Sequence, residues 1–222
     1  MNAGAIILGV IIIILFYILY IFITKQDTYI INSSTDISGR FTPSNSNTYV
    51  PVSNTFAYGI WVYVGNWDNN QKTILTMDSD AKNNNLTVKL EQNEPILVVN
   101  FDNNTNGDVL VMSNFPLQKW VYIIVSVDNQ YLDVYIDGKL VRSILLMNSV
   151  IMNKDTKSSS VTVGPCNNTI ITYFNVWLTT AVDPATAWKY YMRGNGQGST
   201  LGYGANLQLV QNNTVQGTYQ LF

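Results

Sequence analysis

Downstream of residue 48 the sequence is a succession of short apolar runs, many with a two-residue period, closed by turn-forming residues. A period of two places alternate side chains on one face of a strand, so the pattern calls for sheet and excludes a helical bundle. Leu86-Thr87-Val88-Lys89-Leu90 shows it cleanly, with Leu86, Val88 and Leu90 expected inward. Thr73–Met77, Ile96–Phe101, Val109–Met112, Ser160–Val163 and Ile170–Trp177 read as further strands. Two runs, Phe56–Val64 and Trp120–Val127, are apolar on both faces and are expected inside a sheet, with Trp61 and Trp120 largely buried. Tyr131–Ile136 puts Leu132, Val134 and Ile136 on one face, and Asp137-Gly138 then makes a two-residue hairpin into Lys139–Leu146, since both residue types tolerate positive φ. Thr48–Val52 is expected as the first strand, and Asn206–Val210 and Thr218–Phe222 as closing strands.

One helix interrupts the strands. Asp183 is a natural N-cap, Pro184 suits the first helical position, and Gly194 follows Arg193 as a stop. Ala187, Trp188, Tyr191 and Met192 would form its apolar side. Short strands in this number, hairpin turns and one short helix predict an all-β, two-sheet antiparallel jelly-roll sandwich.

The start of the chain is different in kind. No side chain from Met1 to Thr24 is charged, and Ala5–Ile23 is almost wholly Ile, Leu, Val, Phe and Tyr, long enough as a helix to span a bilayer's hydrocarbon core. The basic start and small-residue cleavage site of a signal peptide are lacking, so a retained single-pass anchor is expected. The division is residues 1–24 as a transmembrane anchor, 25–47 as a polar tether, and 48–222 as the sandwich with a C-terminal tail.

The composition narrows the chemistry. The chain has no His, one Cys and a net charge of −2, with charged residues at 12%. The commonest general base and zinc ligand are therefore missing, and no intrachain disulfide can form. Arg occurs only at positions 40, 142 and 193 and no basic cluster stands out along the chain, so nucleic acid is not an expected partner. Glu91 and Glu94 are the only glutamates, three apart and separated by Asn93 in a turn-like stretch, which does not make the flanking carboxylate pair of glycoside hydrolysis. Cys166 has no His to activate it as a nucleophile. Asp102, Asn104, Asn106, Gly107 and Asp108 space oxygen ligands like the first half of a calcium loop, yet position twelve is Ser113, and a polar turn wants the same residues. Asp78 and Asp80 are a weaker pair of the same type. Trp67, beside Asp68 and Asn69, is a candidate for stacking on a sugar and equally for capping the core or packing on a neighbour.

Three stretches carry a family resemblance. They are Tyr49-Val50-Pro51-Val52 followed by Phe56-Ala57-Tyr58-Gly59-Ile60-Trp61-Val62; Lys119-Trp120-Val121-Tyr122 followed by Tyr135-Ile136-Asp137-Gly138-Lys139-Leu140-Val141; and Val163-Gly164 followed by Tyr173–Leu178 and the helix ending Met192-Arg193-Gly194. Over Thr48–Gly198 the chain resembles the concanavalin A-like, laminin-G-like jelly-roll superfamily. The resemblance implies the fold and says little about function, because the fold hosts many activities. The catalytic Glu-X-Asp-X-X-Glu pattern of its β-glucanases is absent. A looser likeness, of architecture and composition, is to membrane-anchored minor capsid proteins of large DNA viruses.

The expectation is a non-enzymatic interaction protein with no catalytic, cofactor or metal residues. It would sit in a membrane through its N-terminal helix and bind structural proteins, such as a capsid shell over an internal virion membrane. The alternative is a membrane-anchored glycan-binding module. Sparse charge and many tyrosines suit either kind of surface.

Overall fold

The computed structural model describes residues 11–17, 29–44, 46–70, 72–78, 85–102, 105, 107–148, 159–196, 206–211 and 214–220. Its strands are β1 (Tyr29–Ile31), β2 (Thr35–Asp36), β3 (Thr55–Val64), β4 (Lys72–Asp78), β5 (Leu86–Leu90), β6 (Leu97–Phe101) and β7 (Val109–Met112). They continue with β8 (Trp120–Asp128), β9 (Tyr131–Ile136), β10 (Lys139–Leu145), β11 (Ser160–Val163), β12 (Thr169–Trp177), β13 (Asn206–Gln211) and β14 (Thr214–Gln220). Helix α1 is Pro184–Met192.

The strands form two antiparallel sheets in a sandwich. The larger has the order β1-β12-β3-β8-β9-β10, with β2 also pairing to β12, and the smaller has the order β11-β4-β5-β6-β7. The continuous core lies between them. Phe56, Tyr58, Ile60, Val62 and Val64 of β3 and Val121, Ile123, Val125 and Val127 of β8 face Leu86, Val88 and Leu90 of β5 and Leu97, Val99 and Phe101 of β6. Leu132, Val134 and Ile136 share this inner face as their spacing predicts.

The outer face of the larger sheet is also covered. Ala57, Trp61, Tyr122, Ile124 and Tyr135 form a second buried layer with Val182 and Ala187, and Trp120, Tyr173, Trp177, Tyr190 and Tyr191 pack at its margin. Helix α1 and the segment leading into it are therefore the lid of this layer, which is why β3 and β8 are apolar on both faces. Gly59 makes the layer possible: a Cβ there would stand 2.7 Å from the Tyr122 hydroxyl and 3.0 Å from the Trp177 ring. Ser126, on the outer face of β8, accepts a 2.8 Å hydrogen bond from the Val182 N–H and ties down the approach to the helix. Asp183 caps it, accepting from the Thr186 N–H at 2.9 Å and from the Thr186 hydroxyl at 3.0 Å.

Four expectations need correction. Residues 29–41 are not a tether: β1 and β2 pair with β12, Phe41 bridges Val163, and Ile37 is fully buried. Their short apolar residues complete the open side of the larger sheet, a role that polar surroundings concealed in the sequence. Thr48–Val52 is not a strand but a 3₁₀ turn over Ser46–Tyr49 followed by bends. Pro51 has no N–H for a ladder, and the buried Val50 serves as a plug instead. The C-terminal strands β13 and β14 pair with each other in a separate two-stranded sheet. Trp120 is only half-buried, packed against Tyr63 at 5.5 Å on the outer face, whereas Trp61 is 6% exposed.

At the N-terminus, residues 11–17 are helical and Ile11 to Tyr17 are exposed. Among the described residues no helix is long and apolar enough to cross a membrane. The rest of the expected span, residues 1–10 and 18–24, lies outside the described residues.

The unequal burial of the two tryptophans gives a test. Trp61→Ala is expected to cost about 3–5 kcal/mol, the usual loss for a large buried aromatic. Trp120→Ala should cost only about 1–2 kcal/mol. Chemical denaturation followed by circular dichroism measures both; equal losses would contradict the assignment of Trp61 to the enclosed layer.

Candidate binding cleft

The residues singled out in the sequence are mostly engaged internally. Trp67 packs against the inner core, and the Lys72 ammonium sits 5.7 Å from its ring centroid. Lys72 is itself fully buried, paired to Asp68 at 2.6 Å and donating to the Asn167 carbonyl at 2.8 Å. The Lys72 hydrogen bond holds the Asp68 carboxyl below its ordinary range against an opposing effect of burial. Of the two readings of Trp67, the packing against the core favours the cap over the saccharide platform; Asn69 beside it is exposed.

The calcium-like string behaves as a turn at the residues described. Asp108 is bound by Lys89 at 2.6 Å and by the Asn100 amide at 2.9 Å. Burial pushes its carboxyl up, but those contacts outweigh burial and leave it below the ordinary value. Asp102 accepts from the Asn85 amide at 3.2 Å, and the Thr105 hydroxyl bridges the Phe101 and Gly107 carbonyls. Asn104 and Asn106 lie outside the described residues, as does Asp80; Asp78 meets Arg40 at 3.5 Å. Glu91 lies 3.8 Å from Lys89, and Glu94 is exposed in the β5–β6 connection. Cys166 is buried, its thiol donating to the Thr169 hydroxyl at 3.1 Å.

A cleft does open elsewhere, where α1 meets the β9–β10 hairpin. It has a volume of about 400 Å³ and is lined by Met112, Ile136, Val141, Trp188 and Tyr191 with Lys119, Asp137 and Lys139. The hairpin turn builds it. Asp137 (φ 49°) and Gly138 (φ 75°) both take the left-handed conformation that the two-residue turn requires. Gly138 also lets the helix approach, since a Cβ there would stand 3.0 Å from the Trp188 Cα. Asp137 is held twice by Tyr122: its N–H donates to the Tyr122 carbonyl at 2.9 Å, and its Oδ1 accepts from the Tyr122 N–H at 2.9 Å. Its Oδ2 is 3.6 Å from the exposed Lys119 ammonium.

Behind the cleft runs a chain of rings. Tyr122 stacks on Trp61 at 5.0 Å, Trp61 on Tyr191 at 5.6 Å, and Tyr191 meets Trp188 at 5.5 Å. The ring at the end, Trp188, is 44% exposed. In the sequence Trp188 counts as part of the helix's apolar side; in the fold Ala187 and Tyr191 take that role and Trp188 faces the cleft. Nothing along the sequence marks this, because Lys139 and Asp137 come beside Trp188 only in the fold.

A protein-family model described as the Concanavalin A-like lectin/glucanases superfamily matches residues 35–175, well over half of the chain. The chain belongs to that superfamily. The matched residues run from β2 into β12 and so take in most of both sheets and the β9–β10 hairpin. No curated protein matches the chain in sequence. Among solved structures, a mutant of HCR/D is similar at 13% identity and TM-score 0.52, covering 71% of this chain and 42% of that one. The binding domain of botulinum neurotoxin DC, in complex with rat synaptotagmin II, is similar at 18% identity and TM-score 0.47, with coverages of 68% and 38%. Trypanosoma rangeli sialidase is similar at 9% identity and TM-score 0.46, with coverages of 64% and 23%. The chain thus spans about two-fifths or less of those proteins, and the likeness is one of fold.

Two outcomes follow from this geometry. Gly138→Ala is expected to cost about 1–3 kcal/mol, because the left-handed backbone and the Trp188 contact both resist a methyl group; a thermal or denaturant melt unchanged from wild type would contradict this. Burial pushes the Cys166 thiol up to about 11, the Thr169 hydrogen bond opposing it. The thiolate is the reactive form, so at pH 8 the folded protein should react with a disulfide reagent far more slowly than the protein in denaturant. Equal rates would mean that Cys166 is accessible.

Proposed function

We propose that this protein is a non-catalytic recognition module that binds a saccharide in the α1–hairpin cleft and is presented on a membrane by its N-terminal apolar segment. The observation that carries the reading is the cleft itself: an exposed indole on a rigid aromatic stack, with charged groups of both signs within its walls. A sugar ring offers an apolar face to an aromatic side chain and hydroxyls to polar ones, the mixture that this lining presents. The superfamily's own description, spanning lectins and glucanases, agrees with a saccharide ligand. Glu91 and Glu94 lie in a connection and near Lys89, not in the cleft, so cleavage by a carboxylate pair is not part of the proposal.

Membrane attachment rests on the uncharged run through residue 24, of which residues 11–17 are helical with exposed apolar side chains. This run also supports the second reading, a minor capsid protein that links an internal virion membrane to a shell. In that case the protein would co-purify with intact particles and leave with the membrane fraction on detergent treatment; absence from particles would end that reading.

A glycan array probed with the full chain in detergent tests the first reading. Saccharide binding weakened in Trp188→Ala is expected; no binding to any glycan, or binding untouched by the substitution, would refute it. Glu91→Gln and Glu94→Gln should leave binding unchanged. Deleting Met1–Ile23 should free a folded domain from membranes in a flotation assay, and a truncated chain that still floats would rule out the anchor.

A further inference from the structure

From the charges of the cleft, and resting on the saccharide reading above, we infer that its ligand is an acidic sugar, one whose ring carries a carboxylate or sulfate. Lys119 and Lys139 both line the cleft, and Asp137 is the one acidic group there among the described residues. Two ammonium groups against one carboxylate leave a local charge of +1, in a chain whose net charge is −2. The pairing inside the cleft is loose. Lys119 stands 3.6 Å from Asp137 Oδ2, beyond a good hydrogen bond, and Lys119 is exposed, so its donors remain available to a ligand. Lys139 is exposed on the far side of the turn, and none of the ion pairs among the described residues involves it.

Asp137 already faces Lys119 through its Oδ2, 3.6 Å away, and is held in that place. Its Oδ1 and its N–H are both committed to the Tyr122 backbone, and the turn fixes its φ in the left-handed region. The excess positive charge is therefore built into the frame. A neutral sugar stacked on Trp188 would engage Asp137 and leave Lys139 unmatched. A sugar with one negative group would fill the same ring position and bring its charge into a lining that holds both ammonium groups.

Other ligand classes fit less well. Arginine, the fork-shaped phosphate binder, is missing from the lining, and α1 presents its flank to the cleft while its N-terminus is occupied by the Asp183 cap, so a polyphosphate has no backbone cradle. A wholly apolar ligand would strip water from three charged side chains with nothing in return. A peptide strand added along the neighbouring β10 edge is disfavoured by the register shift between Leu140 and Arg142 and by the exposed Lys139 and Arg142 on that edge, features that blunt strand addition. The volume of about 400 Å³ is at the lower end for small-molecule sites, enough for a short saccharide.

The test is calorimetric titration of the full chain in detergent micelles with lactose, sialyllactose, a glucuronic acid disaccharide and sulfated lactose. At least one anionic sugar is expected to bind roughly tenfold more tightly than lactose, with the advantage shrinking as ionic strength rises. The carboxylated and sulfated arms show which anion is read. Trp188→Ala should weaken binding of the preferred sugar roughly tenfold, and Lys139→Glu should weaken it roughly fivefold while leaving lactose unaffected. Lys139 is exposed, so Lys139→Glu should leave melting unchanged; if Trp188→Ala, which removes a ring packed on Tyr191, melts early, Lys139→Glu alone decides. Lactose binding as tightly as the anionic sugars would overturn the acidic-sugar inference while sparing the saccharide reading. No sugar binding at all would overturn both. Anionic-sugar binding indifferent to Lys139→Glu, or a glutamate-rich peptide competing as well as the sugar, would also overturn the inference.

Discussion

The pairing of β3 with β8 holds the centre of the larger sheet, and the rest of the molecule is arranged around the fact that this pair is apolar on both faces. Their register runs unbroken from Thr55 opposite Asp128 to Tyr63 opposite Trp120. One face is matched by the five-stranded sheet. The other would expose Trp61, Tyr122 and Ile124 to water if left bare, and burial of apolar area is the dominant favourable term in folding. Helix α1 answers that requirement, and its position follows from it: Ala187 and Tyr191 lie over Trp61 and Tyr122.

The cleft is a consequence of this covering. A helix of nine residues cannot shield the whole face. It ends against the β9–β10 turn, and the gap between its flank and that turn is where Trp188, Lys119, Asp137 and Lys139 converge. The stack from Tyr122 through Trp61 and Tyr191 to Trp188 means that the exposed indole rests on packed rings and not on a mobile loop. A rigid aromatic surface loses little entropy on binding, which suits recognition by a small number of contacts. Elsewhere polar side chains that look functional in isolation are consumed by structure: Asp108 by Lys89, and Trp67 and Asp68 by the buried Lys72.

Local chemistry by itself determined the strands from β3 to β12, the hairpin and the helix with its cap. A two-residue period, an Asp-Gly turn that needs positive φ at both positions, and an Asp-Pro helix start act over a few neighbouring residues, so each can be read without knowing the fold. Membership of the superfamily was legible for the same reason, because its most distinctive motif is one hairpin. Tertiary structure decided the rest. Tyr29–Ile31, Ile37 and Phe41 read as tether because a three-residue strand has no periodicity to detect; only the open edge of β12 and the neighbouring Val163 give them partners. Whether a tryptophan is core, prop or platform depends on what lies across from it. Trp61 is enclosed by a helix far along the chain, Trp67 is claimed by an ammonium, and Trp188 is left facing solvent. The grouping of Lys119, Asp137, Lys139 and Trp188 is invisible along the chain, since electrostatics and stacking act through space and only the docking of α1 on the hairpin brings those groups within reach of one ligand.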